Sequence, residues 1–257
     1  MARRRKPTSL PAPWLRRIAV EDWPDDERAG GYPFDVPWLT PDFELSFEQP
    51  VTILVGENGS GKSTLLEAIA AMIGFPVKGG GAWNAGSGGP AIGDAGNDRP
   101  PGPRDLADRM RAAWLPKVRD GWFLRAGSFE TVASGTSGGY LARSHGEGFA
   151  SLVADRMTGQ GVFLMDEPEA ALSPRRQAEL LAFLAQVQRD GDAQVILATH
   201  SPMLMAVPGA ALLRITHRGI DAVDLRQTDH FRLWQAFASD PDDFVARALD
   251  GDLDALV

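Results

Sequence analysis

Residues 51–64 read VTILVGENGSGKST. Val51 to Val55 is an apolar run broken only by Thr52, the pattern of a strand buried on both faces. Three glycines at 56, 59 and 61 follow, and from Ser63 to Ile73 the sequence is helix-forming. Strand, glycine loop and helix in that order are the context of a G-x-x-x-x-G-K-S/T phosphate loop. The glycines let backbone N–H groups turn inward, and the helix start adds its positive dipole end. Residues Gly56, Glu57, Asn58, Gly59, Ser60, Gly61, Lys62, Ser63 and Thr64 are the expected nucleotide-binding set. Lys62 would bridge β- and γ-phosphate oxygens, and the Ser63 hydroxyl would hold Mg2+.

Two later runs share the apolar character of the first. Val162 to Met165 ends in Asp166 and Glu167, and Val195 to Ala198 ends in Thr199, His200 and Ser201. Helical sequence is expected after each run, over 174–189 and 201–206. Alternating strands and helices predict an α/β fold, a mostly parallel sheet flanked by helices. Residues 212–215 and 222–225 read as a terminal hairpin, and 231–249 as closing helices. Asp166 at a strand tip is the expected partner of the metal, and Glu167 the general base that orients water. His200, 34 residues after Asp166, also stands at a strand end. There it would contact the γ-phosphate and hold the water with Glu167.

Length and composition bound the rest. At 257 residues and 27.7 kDa the chain holds one to two domains. It has no cysteine, which excludes disulfides, thiolate zinc and a thiol nucleophile. A net charge of -8 opposes general nucleic-acid binding. The exception is local: Arg3, Arg4, Arg5, Lys6, Arg16 and Arg17 make residues 1–17 a basic arm able to touch nucleic acid or an acidic partner. No apolar stretch reaches the roughly 20 residues of a membrane span, and no secretory signal is legible, so a cytoplasmic protein is expected. Residues 78–104 carry nine glycines and four prolines, which reads as a loop insertion. Helical spacing resumes from Leu106 to Leu115. The expected layout is a domain over 18–257, with this insertion and a small helical and loop lobe over about 105–160.

The segments GENGSGKST at 56–64, FLMDEPEAAL at 163–172 and ATHSP at 198–202 resemble the ABC-type ATPase superfamily. With YPF at 32–34, they look more narrowly like small soluble ATPases labelled AAA-family. The resemblance implies a P-loop ATPase head that uses ATP and Mg2+ and forms an ATP-dependent homodimer. A Ser-Gly-Gly-Gln signature would complete the partner's site. Its best match is Ser144, Gly146 and Glu147, where Ser144 and Gly146 fit and His145 and Glu147 depart; Ser137-Gly138-Gly139 is the rival. Tyr32 and Phe34 are the candidates to stack on adenine, and no guanine-reading motif is present. Transporter relatives carry a glutamine ahead of the signature. None lies between Gln49 and Gln160, and Arg125 is the positional substitute. An ABC transporter subunit, a DNA-maintenance head and a defence-system ATPase working with a separate protein effector remain the alternatives to an ATP-gated dimerisation switch.

Overall fold

The computed structural model describes residues 8–24, 31–76, 80–81, 102–125, 157 and 159–256. In chain order the elements are β1 (Leu15–Val20), β2 (Glu44–Ser46), β3 (Val51–Val55), α1 (Lys62–Ile73), β4 (Gly80–Gly81), α2 (Pro103–Arg109), β5 (Met110–Trp114) and β6 (Gly121–Arg125). They continue as β7 (Val162–Asp166), α3 (Pro174–Asp190), β8 (Gln194–Ala198), α4 (Pro202–Met205), β9 (Ala211–Thr216), β10 (Gly219–Ala222), α5 (Asp229–Ser239) and α6 (Pro241–Asp250).

A seven-stranded sheet has the order β10-β9-β3-β8-β7-β6-β4. Its five inner strands are parallel, and β10 and β4 run antiparallel at the edges. The apolar runs explain this placement. Val51, Ile53 and Val55 face one core cluster with Phe163, Met165, Val195 and Leu197, and helix α3 covers them with Leu180, Leu184 and Val187. The alternate residues Leu54, Leu164, Ile196 and Ala198 face a second cluster beneath α1. A strand apolar on both faces is stable only between two covering layers, and each fully buried aliphatic side chain contributes about 1.5–3 kcal/mol.

Helix α1 is itself sandwiched. Its Leu65, Leu66 and Ile69 lie in one cluster with the main sheet and with Ile18, Leu45 and Met110 of a three-stranded antiparallel sheet, β2-β1-β5. Several sequence expectations are corrected here. Trp14 and Leu15 are buried and β1 begins at Leu15, so the fold starts ahead of residue 18, and Arg16 and Arg17 lie on β1 with exposed side chains. The expected helix over 106–115 ends at Arg109, and Met110–Trp114 becomes a strand because β1 offers it a ladder, Ile18 opposite Ala112. Of the lobe expected over about 105–160, residues 126–156 and 158 lie outside the described residues; in the described part α2 packs on α1, and β6 joins the main sheet beside β7. The terminal hairpin turns in two residues, His217 and Arg218, so its second strand is 219–222 and pairs Ile220 with Ile215. The closing segment is two helices broken at Asp240-Pro241.

Gln194, fully buried at the start of β8, ties the two sheets together. Its Oε1 accepts from the backbone N–H of Trp14 (2.9 Å) and of Leu15 (2.8 Å), and its Nε2 donates to the Leu15 carbonyl (2.9 Å). Gln194→Leu would leave three backbone groups unpaired, each worth about 1–3 kcal/mol when buried. Urea unfolding should report a loss of about 3 kcal/mol with unchanged m; a midpoint equal to wild type contradicts the clamp.

Candidate nucleotide site

The loop between β3 and α1 depends on backbone that only glycine adopts freely. Gly61 has φ 92°, and a Cβ there would lie 2.5 Å from Trp38 Nε1. Gly56 has φ 153°, and its Cβ would meet the Ile215 carbonyl oxygen at 2.5 Å. Trp38 fixes the loop from outside by donating Nε1–H to the Ser60 carbonyl at 2.8 Å. Inside it, Lys62 is only 4% exposed and donates to the carbonyls of Gly56 (2.8 Å) and Glu57 (3.0 Å). Burial pulls its ammonium below the ordinary lysine range, and Glu167, Asp166, Glu57 and Glu169 oppose that fall.

Asp166 ends β7, Glu167 follows it, and His200 follows β8, so all three stand at the carboxyl edge beside the loop. Ser63 Oγ donates to Asp166 Oδ1 at 2.9 Å. Glu167 is the one non-glycine residue with positive φ among the described residues (φ 49°), a left-handed conformation costing roughly 1 kcal/mol. Its N–H is tied to the Ala198 carbonyl at 2.9 Å, and its side chain remains 45% exposed. His200 Nε2 lies 3.7 Å from Glu167 Oε1. Burial lowers the His200 imidazole below its ordinary value.

Fit to nucleotide and metal is tested by these atoms. A hydroxyl and a carboxylate facing each other are hard oxygen donors suited to Mg2+. Ser60 Oγ and His200 Nε2 are buried with no hydrogen-bond partner among the described residues, as expected of polar atoms aimed at a ligand. Lys62 donates to loop carbonyls from inside the glycine turn, where phosphate oxygens would be its acceptors.

From the sequence, Arg125 is named only as a substitute for the missing glutamine, and Glu169 goes unread. Glu169 accepts from the His200 backbone N–H at 2.5 Å and so holds the β8 loop to the turn after β7; burial raises its carboxyl above the usual range. Its place three residues after Asp166 was the available signal. Arg125, at the end of β6, lies with Nε 3.2 Å from Asp166 Oδ2 and also pairs with Glu67 of α1. Phe34 is only 6% exposed and packs edge-on against Trp23, so it belongs to the core and offers no stacking face. Tyr32 stays 43% exposed, with its hydroxyl 3.4 Å from Thr64 Oγ1. Ser144, Gly146, Glu147 and the rival Ser137 lie outside the described residues.

Burial raises the Glu67 and Asp166 carboxyls above their unfolded range, and the Arg125 guanidinium moderates both. The native state therefore holds these protons more tightly than the unfolded chain, and stability from this source falls as pH rises through the raised values. Arg125→Met removes the moderating cation and raises both groups further. The variant should lose about 3 kcal/mol at pH 8, and less at pH 5, because protonation of the raised carboxyls grows as the pH falls. Equal losses at the two pH values in urea unfolding would contradict this pairing.

Residues 148–206 match the family described as "AAA domain, putative AbiEii toxin, Type IV TA system", and residues 38–94 match a family described as "AAA domain". Among solved structures, the chain is similar to the SMC head domain from Thermotoga maritima (15% identity, 82% of this chain and 99% of that one, TM-score 0.43). It is also similar to "an inward-facing conformation of a putative metal-chelate type ABC transporter" (15% identity, 84% and 87%, TM-score 0.47). The thiamine import ATP-binding protein ThiQ of Cereibacter sphaeroides is 30% identical over 175 residues, 58% of this chain and 70% of that protein. With that relative and the phosphate-loop geometry together, the chain belongs to the family of P-loop ABC-type ATPases.

Proposed function

We propose that the chain binds ATP with Mg2+ and hydrolyses its terminal phosphoanhydride, using nucleotide occupancy to close a homodimer. The observation that carries this reading is the convergence of Lys62, the Ser63–Asp166 pair and the Glu167–His200 pair at one sheet edge. The inward N–H groups of the loop and the Lys62 ammonium bind the β- and γ-phosphates, and Tyr32 flanks the base. Ser63 and Asp166 would hold Mg2+, which would neutralise charge on the phosphate oxygens. Glu167 accepts a proton from water as its oxygen attacks the γ-phosphorus and the bond to the β-phosphate oxygen breaks. His200, whose Nε2 lies 3.7 Å from Glu167 Oε1, donates to the γ-phosphate beside it. Positioning and fixed charge supply the rate, since phosphoryl transfer needs little covalent help from the protein.

The exposed flank of Glu167 supports the dimer. A γ-phosphate bound there by one chain would face water, whereas a second chain would enclose it and supply the donors of Ser144 and Gly146. Glu167→Gln should bind nucleotide yet lose roughly 10²- to 10⁴-fold in turnover, and should sediment as a dimer with Mg-ATP and a monomer without it. Near-normal turnover would remove Glu167 from the role of base, and a monomer at saturating ATP would remove the dimer.

Similarity to an import ATP-binding protein favours a second reading, coupling to a membrane partner. Arg125 at the end of β6, where transporter relatives carry glutamine, weighs against it. No described helix is long and apolar enough to cross a membrane. Co-purification with a multi-span membrane protein would decide for the second reading; co-purification with a soluble effector would decide for the first.

A further inference from the structure

His230 stands in the first turn of α5, whose N-cap Thr228 accepts from the Phe231 N–H at 3.2 Å. Its Nε2 lies 3.0 Å from His200 Nδ1, with the rings 5.2 Å apart and inclined at 45°. Two imidazoles at that distance share one proton: one nitrogen donates and the other accepts. The contact joins residues from different elements, 30 positions apart.

The neighbours decide the direction. His200 Nε2 is buried, has no hydrogen-bond partner among the described residues, and lies 3.7 Å from Glu167 Oε1. An ionised carboxylate only accepts, so a bare lone pair on that nitrogen would face another lone pair, whereas an N–H would face an acceptor. The proton therefore belongs on His200 Nε2, and Nδ1 must accept from His230 Nε2–H. Both rings are expected to be uncharged near neutral pH. Burial lowers each, and the positive end of α5 disfavours charge on His230. The other charged groups acting on His230 are Glu57, Lys62 and Asp229.

We infer that His230 is a positioning residue: by donating Nε2–H to His200 Nδ1, it holds His200 in the tautomer that presents an N–H donor to the γ-phosphate. This rests on the reading of His200 given above. Without the donor on α5, His200 can turn or take its proton on Nδ1, and the nitrogen facing the phosphate becomes a lone pair that repels it.

Gln is the conservative replacement, because its amide N–H falls near the place of His230 Nε2, whereas Leu fills space without a donor. H230L should lower kcat by about 10- to 100-fold with KM for ATP little changed. H230Q should recover most of that loss, which a purely structural role for the ring would not predict. Nitrogen-15 spectra of the histidine rings in the nucleotide-free wild type, assigned by comparison with H200A and H230Q, should read His200 as protonated on Nε2 and bare on Nδ1. Spectra with the proton on Nδ1, or an H230L enzyme with wild-type kcat, overturn the inference. H200A separates the two layers. If H200A turns over normally, the role of His200 in hydrolysis fails, while the spectra still decide which nitrogen carries the proton. If H230L does not fold, the spectra and H230Q decide: a kcat for H230Q as low as that of H200A overturns the proposal.

Discussion

A buried ammonium group sets the terms for the whole nucleotide site. Lys62 sits inside a glycine turn, bonded to two carbonyls of that turn, with the charges of Glu167, Asp166, Glu57 and Glu169 around it. Taking such a cation out of water is costly unless hydrogen bonds and opposite charge surround it. The turn supplies the hydrogen bonds, and the ends of the strands supply the charge. This requires β3 and β7 to finish at the same edge, which the parallel order β3-β8-β7 ensures. It also requires the turn to be rigid, which Trp38 and the close approach of Ile215 to Gly56 provide.

The surplus of acid around this cation has a second counterweight. Arg125 reaches Asp166 from β6 and Glu67 from the other side, so the acidic pocket is bounded by a lysine in the loop and an arginine on the next strand. Glu169 adds a further carboxylate, spent on fixing the His200 backbone. The left-handed turn at Glu167 belongs to the same arrangement, because it sends that side chain out toward His200 while its N–H stays tied to β8. Hydrogen bonds and ion pairs among α1, the ends of β6, β7 and β8 and the loops that follow the strands thus hold the charged edge together.

The phosphate loop, Asp166, Glu167 and His200 were legible because each stands at the end of an apolar run long enough to declare a buried strand. The same rule failed for β1 and β5. These mix charged with apolar residues, and pairing within the β2-β1-β5 sheet makes them strands. Residues 106–115 kept a helical pattern that the ladder with β1 overrode after Arg109. Phe34 and Tyr32 are two residues apart, and nothing in the sequence tells that one faces the core and the other solvent. Gln194 and His230 carried no signal, since their partners are distant in sequence and belong to other elements.

Calorimetric titration of Mg-ATP into the wild-type chain and into Lys62→Ala tests the central claim most directly. A site organised around this ammonium predicts one saturable binding event in the wild type and an affinity lower by at least about 100-fold in the variant, a difference of roughly 2.7 kcal/mol. Equal affinities for the two chains would contradict the account.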